Sequence, residues 1–308
     1  MSTATTHSTA LRASLTLTST EPEHFDLAFT ATTQQCPWPK AYGGDMVAQA
    51  AAAAMLSVEA DRRLHSTHSY FMRPVDIGAD VRYEVELLRD GRGYSTRQVR
   101  AYQNDKPVYV SLASFQVPED GAQLAPAMPA GIPDPESLPS SAEYLAAIEP
   151  GTGTLTEESK AYWSAGRSFD HRHVPGPVYV RVEGEHVPHQ AVWVRAFESL
   201  DRPAASGPGA LTDEQLHTAA LAYVCDYTII EPTLRALGIA WADPGLVTAS
   251  LDHSMWFHRP ARADEWLLYA QEAAGAQSGR GLGLGRFFDT DGRLVATVAQ
   301  EAMVRPGR

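Results

Sequence analysis

A carboxylate and an amide set among apolar neighbours are this chain's leading candidates for chemistry. Asp226 lies between Leu221, Ala222 and Val224 on one side and Ile229 and Ile230 on the other. Such a setting strips water from a carboxylate and raises its pKa towards that of a general base. A helix N-cap is the commoner use of an Asp in this context, and it stands as the alternative. Gln300 shares strand parity with Leu294, Ala296 and Val298, so a period of two puts its amide on an apolar face where it must find partners. A satisfied core amide is the competing account. Covalent catalysis has less support, because the chain has no G-x-S-x-G elbow and neither Cys36 nor Cys225 has a histidine beside it in sequence. Cys225 reads as a small buried apolar residue.

Two further clusters invite chemistry and fail on spacing. His171, His173, His186 and His189 with Asp170 follow no metal-ligand pattern, so no metal is expected. Gly279, Gly281, Gly283 and Gly285 alternate with Leu282 and Leu284, and no helix follows as a dinucleotide loop requires. They indicate a strand that other backbone approaches closely. No cofactor site is expected.

The elements that position Asp226 and Gln300 belong to a globular chain of 308 residues, 44% hydrophobic and 20% charged. That length favours two domains. A net charge of −12 repels nucleic-acid backbones and anionic membranes, so neither is an expected partner. No apolar run is long enough for a helical membrane span. Two unclustered cysteines suit a reducing compartment. Met1 to Ser19 lacks the apolar stretch of a secretory signal and Pro306-Gly307-Arg308 is no peroxisomal address, so a cytoplasmic location is expected.

A faint internal repeat organises the rest. Ala41-Tyr42-Gly43-Gly44-Asp45 returns as Ala222-Tyr223-Val224-Cys225-Asp226, an offset of 226 − 45 = 181. His68-Ser69 returns as His253-Ser254, Arg73-Pro74 as Arg259-Pro260, and Gly91-Arg92-Gly93 as Gly279-Arg280-Gly281, in the same order. Four ordered matches imply a tandem duplication. In the first copy, Met46 to Val58 predicts a buried helix, followed by antiparallel strands near 81–87, 95–102 and 107–115. The second copy predicts a helical stretch opened by a Thr212 and Gln215 capping box, broken near Cys225 and interrupted again by Pro232. Strands follow near 247–257, 265–272, 281–288 and 294–304, with an Asp291-Gly292 hairpin. The proline-rich stretch between the copies reads as a surface linker. The expected division is an N-terminal repeat with a flexible tail over 1–118, a linker over 119–176 and a C-terminal repeat over 177–308.

A helix wrapped by a curved antiparallel sheet, present twice, is an α+β double hotdog. The segments Tyr42 to Ala50, His65 to Pro74 and Asp252 to Pro260 resemble those of the type II acyl-CoA thioesterases. That resemblance covers nearly the whole chain. It implies an acyl-CoA substrate hydrolysed to a free fatty acid and coenzyme A, in fatty acid metabolism. It also implies a water held by an Asp, a Ser or Thr, and a Gln of the second copy, which match Asp226, Ser250 and Gln300. Thr248 is the alternative hydroxyl if the strand register slips by two. Asp45 answers Asp226 in the first copy, but Ala113 answers Gln300, so one active site per chain is expected, in the second copy. Arg89, Arg92, Arg97, Arg100, Arg73 and Arg259 are candidates for the substrate phosphates, with solvated strand faces the alternative. His68, His253, Trp256 and Phe257 are expected in the core or at an interface. A homo-oligomer is expected from exposed sheet faces. The rival functions are a hotdog enoyl-CoA hydratase or dehydratase, whose close Asp and His pair is not found near Asp45 or Asp226, and a non-catalytic acyl-CoA binding protein.

Overall fold

Alternating burial drives most of this chain into strands. The computed structural model describes residues 10–149, 155–201 and 210–307. Its first copy runs α1 (Leu11–Ser14), β1 (Thr18–Thr20), β2 (Leu27–Thr32), α2 (Gly43–Met55), β3 (Arg63–Phe71), β4 (Asp80–Asp90), β5 (Tyr94–Gln103) and β6 (Lys106–Gln116). A connecting region carries α3 (Ser141–Ala146) and α4 (Glu157–Ala161). The second copy contains β7 (Phe169–Val174), β8 (His189–Ala196), α5 (Asp213–Val224), α6 (Glu231–Leu237), β9 (Val247–Ser250), β10 (Asp252–Phe257), β11 (Leu267–Gln277), β12 (Arg280–Phe288) and β13 (Leu294–Arg305). No described helix is long and apolar enough to cross a membrane.

The two sheets are fused into one. Strands pair in the order β1-β2-β4-β5-β6-β3-β10-β13-β12-β11-β8-β7, with β9 on β13. The seam is the antiparallel pair β3 and β10, in which His68 faces Ser254 and Thr67 faces Met255. Helix α2 lies inside the curve, buried from Gly44 through Met55, because its alanines present little bulk in any direction and let sheet and helix close around it. It begins at Gly43, three residues before the predicted start, with Tyr42 as an extended N-cap.

Helix α5 opens with the expected capping box at Thr212 and Gln215 and ends at Val224. Its break is forced further along. Pro232 has no N–H and its ring would strike the carbonyl of Thr228 in a continuous helix, so Pro232 instead occupies the first turn of the separate helix α6. Residues 225–230 cross between the two helices as turns, and Asp226 rides on that crossing. The alternating glycines of β12 make room for it. A Cβ on Gly283 would sit 2.3 Å from the Ile229 carbonyl, and one on Gly281 would meet Thr233 at 2.8 Å.

The stretch 119–176 is more than a connection. Met128, Ile132 and Leu138 pack over Ala191, Trp193, Leu268, Phe288 and Leu294 on the outer face of the second sheet. The Trp193 indole donates to the Pro133 carbonyl at 2.9 Å. Strand β7 then pairs with β8 from Phe169 opposite Ala196 to Val174 opposite Ala191. The stretch expected to be linker thus includes an edge strand of the second sheet. The expected flexible tail falls on residues 1–9, outside the described residues.

Candidate active site

Asp226, Ser250 and Gln300 meet, although 24 and 74 residues separate the acid from its two partners. The Ser250 hydroxyl donates to Asp226 Oδ1 at 2.8 Å. Gln300 Nε2 donates to the same oxygen at 2.5 Å and to Ser250 Oγ at 3.0 Å. Strand pairing explains the convergence. Ser250 on β9 lies opposite Ala302 of β13, so Gln300, two residues back, shares its face. Ser250 rather than Thr248 is the hydroxyl that reaches the acid. The Thr248 carbonyl instead accepts from Lys40 Nζ at 3.2 Å.

Burial raises the Asp226 pKa above the ordinary carboxylate value, and the hydrogen bonds from Gln300 and Ser250, the Lys40 charge and the Gly44 N–H partly offset it. A carboxylate held this way is more basic than one in water yet still ionisable. Its second oxygen, Oδ2, faces the start of α2. A Cβ on Gly43 would fall 2.7 Å from it. The Oε1 atom of Gln300 is buried and accepts from no protein donor. The carboxylate and the unpartnered amide oxygen thus lie beside a helix start whose Gly44 N–H bonds the acid, an arrangement able to hold a polarised water near an electrophilic carbonyl.

These groups lie in a cleft of about 490 Å³ between the two copies. Residues 38–43 form its wall from the first copy, and Asp226, Ser250 and Gln300 line the opposite side. Gly43→Ala is expected to retain the fold and lose activity, by roughly 10-fold to 100-fold in kcat, because the added methyl displaces the carboxylate. Unchanged kcat in a folded Gly43→Ala protein would show that Oδ2 is not where the reaction needs space.

Residues 34–116 match the acyl-CoA thioesterase N-terminal domain and residues 135–304 the acyl-CoA thioesterase C-terminal domain. The chain is 34% identical over 280 residues to acyl-CoA thioesterase 2 of Haemophilus influenzae, covering 91% of this chain and 93% of that protein. It is also 34% identical over 300 residues to human acyl-coenzyme A thioesterase 8, covering 94% and 88%. The chain belongs to the acyl-CoA thioesterase family. Its fold agrees with the crystal structure of an acyl-CoA thioesterase II from Mycobacterium marinum, at a TM-score of 0.72 and 31% identity over 97% of this chain and 99% of that one.

In the first copy of this thioesterase the same geometry has lost its polar groups. Asp45 is fully buried and accepts from the Gln34 N–H at 3.1 Å. Ala113 stands where Gln300 does. Leu64 stands where Ser250 does, since Leu64 pairs with Phe115 on β6 as Ser250 pairs with Ala302 on β13. Burial pushes the Asp45 pKa up to about 7 from 3.8, and the other carboxylate oxygen has no partner. Between those two values the folded chain holds a proton that the unfolded chain releases. Stability therefore falls as pH rises through that window and is lowest above about 7. Asp45→Asn should stabilise the thioesterase at pH 8 by about 1–3 kcal/mol, the ~4 kcal/mol of the shift less the cost of a buried amide N–H. At pH 4 the gain should vanish. Thermal unfolding at both pH values checks it, and an equal effect at the two would refute the assignment.

The other sequence candidates lie elsewhere in the thioesterase. His171 Nδ1 contacts the Phe169 carbonyl at 2.9 Å, His173 Nε2 lies 3.3 Å from Glu231, and His189 is exposed on β8. Among the described residues, the histidine and carboxylates that do converge are Asp201, His217 and Asp264. The Arg262 guanidinium already bridges those carboxylates at 2.6 and 3.0 Å. Arg97 is buried against Asp90 and the Ser57 carbonyl, Arg73 bonds the Pro107 carbonyl, and Arg100 lies over Phe25. None of the arginines proposed for phosphates lines the cleft, whose described cations are Lys40 and Arg167.

Sequence separation hid one contact altogether. His253 Nε2 lies 2.9 Å from Cys225 Sγ, and both side chains are fully buried. Burial pushes the histidine down to about 3 and the thiol well up, so the pair is neutral and holds the turn before Asp226 rather than supplying a nucleophile.

Proposed function

We propose that this thioesterase hydrolyses acyl-CoA by direct attack of water in the C-terminal copy. Asp226 Oδ2 accepts one proton of the water as its oxygen bonds to the thioester carbonyl carbon. Gln300 Oε1 accepts the water's other hydrogen bond and fixes its direction. Ser250 and Gln300 Nε2, both donating to Oδ1, hold the carboxylate in one orientation. Negative charge developing on the carbonyl oxygen is met by N–H groups at the start of α2. Collapse of the tetrahedral species breaks the carbon–sulfur bond, and the proton on Asp226 passes to the departing thiolate. Free acid and coenzyme A result.

The observation that carries this reading is the convergence of Ser250 and Gln300 on one oxygen of a buried, cleft-lining carboxylate. Its test is a panel of thioesters from acetyl-CoA to palmitoyl-CoA, followed by thiol release in wild type and Asp226→Ala. Crotonyl-CoA belongs in the panel. Loss of its double bond without thiol release would replace hydrolysis by hydration. Tight binding of every thioester with no thiol released would make the protein a carrier. The outer sheet face, where Tyr70, Leu112 and Trp256 are exposed on adjacent strands, supports a homo-oligomer, which sedimentation velocity tests.

A further inference from the structure

The repeated Ala-Tyr pair keeps its symmetry in packing and loses it in hydrogen bonding. Tyr42 and Tyr223, which answer each other in the two copies, meet edge to face with 5.0 Å between ring centres. The Tyr223 hydroxyl stays within its own copy, 2.9 Å from that of Tyr227. The Tyr42 hydroxyl instead crosses between copies and donates to the Tyr223 carbonyl at 2.7 Å. That carbonyl belongs to the last turn of α5, where a helix leaves its C=O groups without helical donors. The Tyr227 N–H, which would bond it in a continuous helix, goes to the Val224 carbonyl at 3.3 Å. A side chain at the start of α2 thus satisfies an acceptor at the end of α5.

The same ring reaches past the acid. Tyr42 stacks on Tyr227 with 4.2 Å between centres and 14° between planes. Its two contacts therefore grip the crossing turn on either side of Asp226. Tyr42 is also the extended N-cap of α2 and makes no side-chain bond to its own helix. The Gly44 N–H, two residues on, bonds Asp226, and a Cβ on Gly44 would fall 2.3 Å from the Tyr223 carbonyl. The positive end of α2 lies beside the negative end of α5, an attraction with little directionality. The phenol adds a bond with a fixed direction. His253 and Tyr269 hold the Cys225 end of the turn from within the second copy, and Tyr42 holds it from the first.

We propose that Tyr42 is a positioning residue for the thioesterase reaction. Its phenol sets the distance between the carboxylate that takes the water's proton and the helix start that meets the carbonyl oxygen. This rests on the hydrolytic reading of the site. The acid and the N–H groups come from different copies, so neither element fixes that distance alone, and near-attack geometry tolerates only a small error. Without the hydroxyl both halves of the site are present and their spacing loosens.

The experiment compares Tyr42→Phe, which keeps the ring and deletes the bond, with Tyr83→Phe. The Tyr83 hydroxyl is also buried and also bonds α2, donating to Gln49 Oε1 at 2.6 Å, but inside the first copy. Each variant loses one buried hydrogen bond, so both should melt at a lower temperature. Tyr42→Phe alone should lower kcat for thiol release, roughly threefold to thirtyfold, with KM little changed. Its acid limb should also move to higher pH, because a displaced Gly44 N–H no longer favours the Asp226 carboxylate. Wild-type kcat in Tyr42→Phe, or an equal loss in the two variants, overturns the proposal. Amide hydrogen exchange gives a readout without turnover. Exchange at residues 225–228 should rise in Tyr42→Phe and not in Tyr83→Phe, and an unchanged rate there in Tyr42→Phe refutes the strut. Full thiol release by Asp226→Asn would end the hydrolytic reading and leave the exchange result standing. A slow Asp226→Asn beside a fast Tyr42→Phe would end the Tyr42 assignment alone.

Discussion

Asp226→Ala should lower kcat for thiol release by roughly 10²-fold to 10⁴-fold, the usual contribution of a positioned general base, while apparent KM changes little. The split follows from the geometry. In the proposed mechanism the carboxylate touches the attacking water and contributes little to holding the acyl chain. Asp226→Asn is the sharper variant, because an amide preserves the contacts with Ser250 and Gln300 and cannot take a proton. A second readout is the acid limb of the pH profile. The base works only when ionised, so the rate rises with pH through its pKa, which burial places above the ordinary carboxylate range. Lys40→Met removes a charge that favours the ionised form and should move that limb to higher pH. Full activity in a folded Asp226→Asn protein would remove this residue from the mechanism.

Much of this architecture was legible because one face of each main strand is wet. The period of two marked β4, β5 and β6 in the first copy and β11, β12 and β13 in the second, and the capping box marked the start of α5. Strand β7 escaped because Asp170, His171 and His173 are all buried. Polar residues on both parities erase the alternation that identifies a strand. Asp226 and Gln300 stood out as polar groups in apolar company, which is a local signal. Lys40, Gly43 and Arg167 gave none. Lys40 and Gly43 reach the site through contacts between copies, such as the bond from Lys40 to Thr248 across 208 residues, and no window along the chain contains both partners. Arg167 lay inside a stretch read as linker, where a lone cation is ordinary. The repeat itself supplied the remaining inference, since only comparing Ala113 with Gln300 exposed the asymmetry between the two copies.

Gln300→Ala should reduce kcat roughly tenfold to a thousandfold, and the reason separates it from a packing defect. Gln300 is 1% exposed and does two things at once: Nε2 donates to Asp226 Oδ1 and Ser250 Oγ, while Oε1 is a buried acceptor with no protein donor. Removing the amide takes a stabilising donor from the carboxylate, so the acid limb of the pH profile should also rise. A role in packing alone would lower the melting temperature and leave that limb where it is. Gln300→Glu makes the contrast stronger. A second carboxylate within 2.5 Å of the first cannot ionise alongside it, so the two would share one proton near neutrality, as paired acids do. Activity should then recover only at higher pH, as the shared proton is lost. Ser250→Ala, which removes one donor to the carboxylate and one acceptor for Gln300 Nε2 but leaves Gln300 Oε1 in place, should fall between wild type and Gln300→Ala in kcat. A Gln300→Ala enzyme with wild-type kcat and an unmoved pH profile would leave the water without its second acceptor and return Gln300 to the role of an ordinary core amide.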